Sequence, residues 1–414
     1  MKFKRCLALA VASLPFLVSC SGSKCGGGGE QASCGAGGNE GGAPGAAGSG
    51  GSSGGNTAGG KGGGGGSGGT GGATGGSGGA TGGSGGATGG TGGNAGSTGG
   101  SAGGSAGGTA GGTAGAGGVA SGVCPVQAQW PDPLPPEGAQ RKARQIAANL
   151  GGQTEGPVWV ASKGVLLFTQ FEGTGTQGTI RRLTPPTTVD TWVMTVGVNG
   201  LALDIDGNVL GAAHDVQWIS KFNVETKART NLPEPSDYMG LPFKSVNDLT
   251  VRSDGNIYFS DPTWQQGDRP GQAGTSFYRR APNGTITRLF DGKQPNGVAL
   301  SPDQNILYLG DESGQMKKVG LKPDGSIDGA PMDFGNNVGW TDGLAVDCAG
   351  NVYVTGGSGV HVLGPPNGTD RGTITVEGTT TSNAAFGGTD RKTLYITGNG
   401  RLHEMKLNVP GFPY

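Results

Sequence analysis

Charge and aromatic rings are scarce in this sequence. Only 14% of its 414 residues are Asp, Glu, Lys or Arg, and only 6% are Phe, Trp or Tyr. The formal net charge is −1, and Lys and Arg gather in no block. That removes the electrostatic footprint of a nucleic-acid binder. Histidine occurs three times, at His214, His361 and His403. A Ser–His–Asp triad needs a nucleophile elbow, and residues 124–414 contain none. Gly75-Gly76-Ser77-Gly78-Gly79 fits the G-x-S-x-G pattern only in letters, because the pattern needs a strand before it and a helix after it, and a Gly/Ser/Thr/Ala repeat is expected to supply neither. None of the six cysteines has the spacing of a zinc site. The apolar run Leu7 to Val18, broken by Ser13 and Pro15, is too short for a membrane-spanning helix.

Glycine, by contrast, is abundant and unevenly placed. Of 93 glycines, 52 fall in residues 1–123 and 41 in residues 124–414. Two kinds of polymer are joined near residue 123. Lys2, Lys4 and Arg5 precede the apolar run, which ends in Leu17-Val18-Ser19-Cys20. This is the shape of a secretory signal and resembles a bacterial lipobox, with residues 1–19 removed and Cys20 lipidated. Ser21 suits retention at the outer membrane, so the expected location is the bacterial cell envelope. Residues 20–123 form a Gly/Ser/Thr/Ala linker in which Gly-Gly-Ala-Thr-Gly-Gly recurs at Gly71, Gly78 and Gly85. It has almost nothing apolar to bury and is expected to be disordered. Four cysteines remain: Cys25, Cys34, Cys124 and Cys348. In an oxidising compartment they allow three pairings, of which Cys25–Cys34 with Cys124–Cys348 is preferred; free thiols are the alternative.

Residues 124–414 are long enough for one large core. Short apolar runs recur there behind an oxygen-bearing residue: Glu155-Gly-Pro-Val, Asn199-Gly-Leu-Ala, Asn247-Asp-Leu-Thr, Asn296-Gly-Val-Ala, Asp342-Gly-Leu-Ala and Asn383-Ala-Ala-Phe. The steps are 44, 48, 49, 46 and 41 residues (199−155, 247−199, 296−247, 342−296, 383−342). Turns such as Asp206-Gly207-Asn208 and Ser253-Asp254-Gly255-Asn256 lead into second β-rich runs, among them Ile257-Tyr-Phe-Ser260 and Ile306-Leu-Tyr-Leu309. Six such units predict an all-β, six-bladed β-propeller. Each anchor residue starts an innermost strand, so six oxygen-bearing side chains are expected at one mouth of the central channel. Turn preference explains Asn and Asp there but not Glu155. Carboxylate and amide oxygens suit a hard divalent cation, Ca²⁺ first, with Mg²⁺, Mn²⁺ and Zn²⁺ as alternatives. His361 and His403, late in their repeats, are expected at the surface. Trp159, Trp218, Trp264 and Trp340 suit the core, although Trp264 and Trp340 stand close to channel-mouth segments and can line a pocket.

Glu155-Gly-Pro-Val-Trp159, Val246-Asn247-Asp248, Ile257-Tyr-Phe-Ser-Asp261-Pro262, Pro295-Asn296-Gly297, Asp342-Gly343-Leu344-Ala345-Val346-Asp347 and Ala385-Phe386-Gly387-Gly388 together resemble the SMP-30/gluconolactonase family. The resemblance spans about residues 150–410. It implies a propeller holding one divalent cation on Glu155, Asn247, Asn296 and Asp342. It places Asn199 and His214 toward substrate, where Asp248 and Trp264 are expected as well, and it makes Asp261 a recurrent acid without a fixed role. Opening of a sugar lactone or similar cyclic ester is the implied reaction, with Asp342 handling the attacking water and His214 donating to the ring oxygen or a substrate hydroxyl. Two departures bear on the substrate. Ser245 stands where some relatives carry Arg, and Ala212-Ala213-His214-Asp215 stands where many bacterial ones read Cys-Glu-His-Gly. The alternatives are a surface-displayed propeller that binds carbohydrate or protein around a structural metal, and a phosphotriesterase-like esterase. The chain is expected to be a monomer, attached to membrane only through Cys20.

Overall fold

The structure, a computed structural model, describes residues 124–172, 175–233 and 238–412. The lipobox, the Gly-rich linker and the Cys25–Cys34 pairing lie outside them. Among the described residues there are six four-stranded antiparallel sheets and only two helical turns, Ala139–Arg141 and Tyr238–Gly240. The six sheets are the six blades that the repeat predicts.

The innermost strands are Gln153–Val160, Val198–Leu203, Leu249–Val251, Pro295–Leu300, Leu344–Val346 and Asn383–Gly387. Burial explains their composition. Pro295–Leu300 is buried along its whole length, whereas the outermost strand of the same blade, Ile327–Asp333, has no buried residue. Inner strands meet side chains on both faces and so read as continuous apolar runs. Clusters between neighbouring blades form the core; one brings together Trp218, Phe243, Phe259 and Tyr278, with Trp218 and Phe243 stacked at 5.2 Å.

The ring closes by strand exchange within one blade. Arg144–Ala147, from the start of the domain, pairs with Arg401–Lys406 and becomes the outer strand of the sixth blade. A second link lies near the start of the domain: Cys124 is disulfide-bonded to Cys348. Cys348 sits in the turn that follows the fifth innermost strand. There Asp347 Oδ1 accepts the Ala349 and Asn351 amides, and Gly350 takes a φ of 84°. Asp342 is at the opposite end of that strand, so the disulfide and the anchor residues occupy opposite faces of the ring. The final segment covers the disulfide face: the Cys348 amide donates to Pro410 O, and the Phe412 amide to Val346 O.

His403 corrects an expectation. It is 2% exposed, because residues late in the sixth repeat pair on both sides, with Ile396 and with Gln145 of the closing strand. His361 is half-buried.

Candidate active site

Five anchor residues converge. Glu155, Asn199, Asn247, Asn296 and Asp342 line one cavity of about 330 Å³ at the mouth of the channel. Their backbones are locked by a repeated bond in which the residue after one anchor donates its amide to the carbonyl of the next blade's anchor. Gly200 donates to Asn247 O at 2.7 Å, Gly297 to Asp342 O at 3.1 Å and Gly343 to Ser382 O at 2.8 Å. Hydroxyls of the second strands reinforce it: Thr169 Oγ1 donates to Asn199 O, and Thr355 Oγ1 to Ser382 O.

This pattern corrects the sixth repeat by one residue. Its anchor is Ser382, which lines the cavity, and not Asn383. Asn383 occupies the following position, equivalent to Asp248. Both turn below the ring and cap the next amide, Asn383 Oδ1 that of Ala384 and Asp248 Oδ1 that of Leu249. Glycine holds the corresponding place in the other four repeats because there is no room for more. A Cβ on Gly200 would stand 2.3 Å from Asp248 Oδ1, and one on Gly343 would stand 2.0 Å from Asn383 Cγ. A one-residue slip along a strand sends a side chain to the other face.

The expected substrate-facing set therefore divides. Asn199 and Trp264 line the cavity. Asp248 does not; it borders a second, largely apolar space of about 120 Å³ on the other side of the ring, with Leu249, Phe386 and Phe412. His214 is fully buried behind Phe171, whose ring meets it edge-on at 5.5 Å. Neither ring nitrogen of His214 has a hydrogen-bond partner among the described residues. Phe171, a cavity wall residue, intervenes because the first blade's second strand ends beside the imidazole. Asp261 lies outside the cavity too: its carboxylate accepts the Lys244 amide and the Ser245 amide at 2.8 Å, fixing the segment that leads to Asn247.

The electrostatics are lopsided. Glu155 and Asp342 are 8% and 6% exposed, and no Lys, Arg or His is among the cavity's lining residues. Burial, then the Asp342 and Asp248 carboxylates, push the Glu155 carboxyl well above its usual range. Burial, then Asp248, push Asp342 up in spite of its bond from Asn296. Burial raises Asp248 to about 7, and burial, joined by the Arg269 and Arg229 charges, lowers His214 to about 4. Crowded buried carboxylates lacking a cationic side chain are a donor set that a divalent cation completes. Among the described residues no three His, Cys, Asp or Glu side chains group as metal ligands. The candidate donors are the two carboxylates supplemented by amide oxygens of Asn247 and Asn296, and that mixture would suit Ca²⁺ or Mg²⁺ better than a soft metal.

A six-bladed propeller with a carboxylate-and-amide well at one mouth of its channel defines the class. The chain belongs to the family described as SMP-30/Gluconolactonase/LRE-like region, whose model matches residues 153–399. It is 26% identical over 293 residues to a gluconolactonase of Zymomonas mobilis, covering 62% of this chain and 79% of that one. To the pentonolactonase XacC of Haloferax volcanii it is 25% identical over 254 residues, covering 59% and 81%. Among solved structures, a gluconolactonase from Xanthomonas campestris superposes with a TM-score of 0.56 at 26% identity, covering 67% of this chain and 97% of that one.

Proposed function

We propose that the protein is a metal-dependent lactone hydrolase whose reaction takes place in the channel-mouth cavity. The observation that carries this reading is the buried Glu155–Asp342 pair in a cavity without a lining cation, in a chain related to sugar lactonases. Glu155, Asn247, Asn296 and Asp342 would hold the ion. A divalent cation bound there would offset the carboxylate repulsion and polarise the lactone carbonyl as a Lewis acid.

The residues themselves do the rest. Asp342 has one carboxylate oxygen held by Asn296 Nδ2 at 2.7 Å. Its other oxygen is the base that takes the proton of the attacking water. The acyl–oxygen bond breaks, and the same proton passes to the ring oxygen, which leaves as the hydroxyl of the open hydroxy acid. Asn199 orients the substrate through its amide. His214, neutral and covered by Phe171, keeps that wall in place. We also propose that Cys20 carries lipid and fixes the protein to the cell envelope.

The test is to strip divalent ions with a chelator and to assay sugar and aliphatic lactones with each cation restored. Hydrolysis that returns with Ca²⁺ or another divalent ion is the expected result. A metal-loaded protein inert on every lactone and ester would leave a binding propeller with a structural metal.

A further inference from the structure

The cavity has two tiers. Its floor is the buried ring of carboxylates and amides. Its rim carries two tryptophans, Trp264 and Trp340, the latter 43% exposed. One turn holds both. Glu312 Oε1 accepts the Trp264 indole N–H at 3.2 Å. The next two residues fix the approach to Trp340: Ser313 O accepts Asn337 Nδ2 at 2.7 Å, and Gly314 O accepts the Val338 amide at 3.0 Å. On the far side of Trp340, Thr341 Oγ1 donates to Asp311 O at 2.6 Å. An exposed indole on so constrained a backbone is a built surface. The same cavity is lined by Gln265, whose Oε1 is buried with no partner among the described residues and therefore wants a donor.

We infer that this rim is a second-ring subsite, so that the substrate is a lactone bearing a further pyranose ring. The inference rests on the lactonase reading of the floor. A lactone ring seated at Glu155 and Asp342 leaves its substituent at the rim. There the apolar C–H face of a sugar meets an indole, and a hydroxyl meets Gln265.

Two measurements test this on the intact chain. Cellobiono-1,5-lactone should be hydrolysed with kcat/KM about tenfold or more above glucono-1,5-lactone. Trp340→Ala should collapse that ratio, and Trp340→Tyr should keep most of it. Separately, cellobiose should quench tryptophan fluorescence at a concentration about tenfold below that of glucose, a preference that Trp340→Ala removes and Glu312→Ala weakens. Equal kcat/KM for the two lactones, or quenching by cellobiose unchanged in Trp340→Ala, overturns the subsite. Quenching with this pattern in a metal-loaded protein inert on these and every other lactone and ester retains the subsite and ends the lactonase reading instead.

Discussion

Asn296 Nδ2 donates to Asp342 Oδ1 at 2.7 Å, from one blade to the next. The bond commits the amide nitrogen to the carboxylate and keeps the amide oxygen available as a ligand. It also holds Asp342 in one orientation, which a general base requires.

Asp342→Asn keeps the size and one oxygen but removes the charge and the base. Lactone hydrolysis is expected to fall by about 10²-fold or more, with cation binding weakened and retained. Steady-state rates beside a calcium titration check this. Full activity in the variant would remove Asp342 from the role of base.

Glu155→Gln separates the cost of the cluster from its use. Burial and neighbouring carboxylates raise Glu155 when no cation is present. The chelated variant should melt higher than the chelated parent, by about 2–4 °C, and should lose the melting shift that CaCl₂ gives the parent. Because Glu155 and Asp342 are both pushed up, cation binding must release protons, so affinity rises with pH. Calorimetry in buffers of different ionisation enthalpy reads that release; its absence would contradict the raised carboxyls.

His214 is depressed to about 4 from 6.5 by burial. The folded state then binds fewer protons than the unfolded state between those values. Its stabilising contribution is present above about 6.5 and is lost as pH falls toward 4. His214→Leu should flatten that part of the melting-temperature profile. An unchanged slope would mean that the imidazole is solvated.

Cys20→Ala should abolish incorporation of labelled palmitate and release the protein from membranes on cell fractionation. Equal labelling of parent and variant would place any lipid elsewhere.

The propeller was legible because each innermost strand is buried on both faces and so prints an apolar run at every repeat. Glu155, Asn199, Asn247, Asn296 and Asp342 were legible for a second reason: a charged or amide side chain at a strand start has little structural use repeated five times. Ser382 was missed because Asn383 looks more like a ligand. The match of Ser382-Asn383-Ala384-Ala385 to Asn247-Asp248-Leu249-Thr250 was the available signal. The covered position of His214 depends on where the Phe171 ring falls, a packing relation that no local pattern carries. The closing strand Arg144–Ala147 has no repeat of its own; it completes a unit that begins more than two hundred residues later.

The Cys124–Cys348 bond lies before that closing strand in the chain. A pull applied upstream of Cys124 is therefore delivered into the turn of the fifth blade and bypasses residues 144–147. Without the disulfide, the same pull would peel the outer strand from the sixth blade one hydrogen bond at a time, the weakest way to load a sheet. With it, the load enters mid-chain at a buried turn, and the ring's seam stays slack. The mechanical strength of the domain is thus decoupled from the strength of its closure, and it depends on the redox state of one pair of sulfurs.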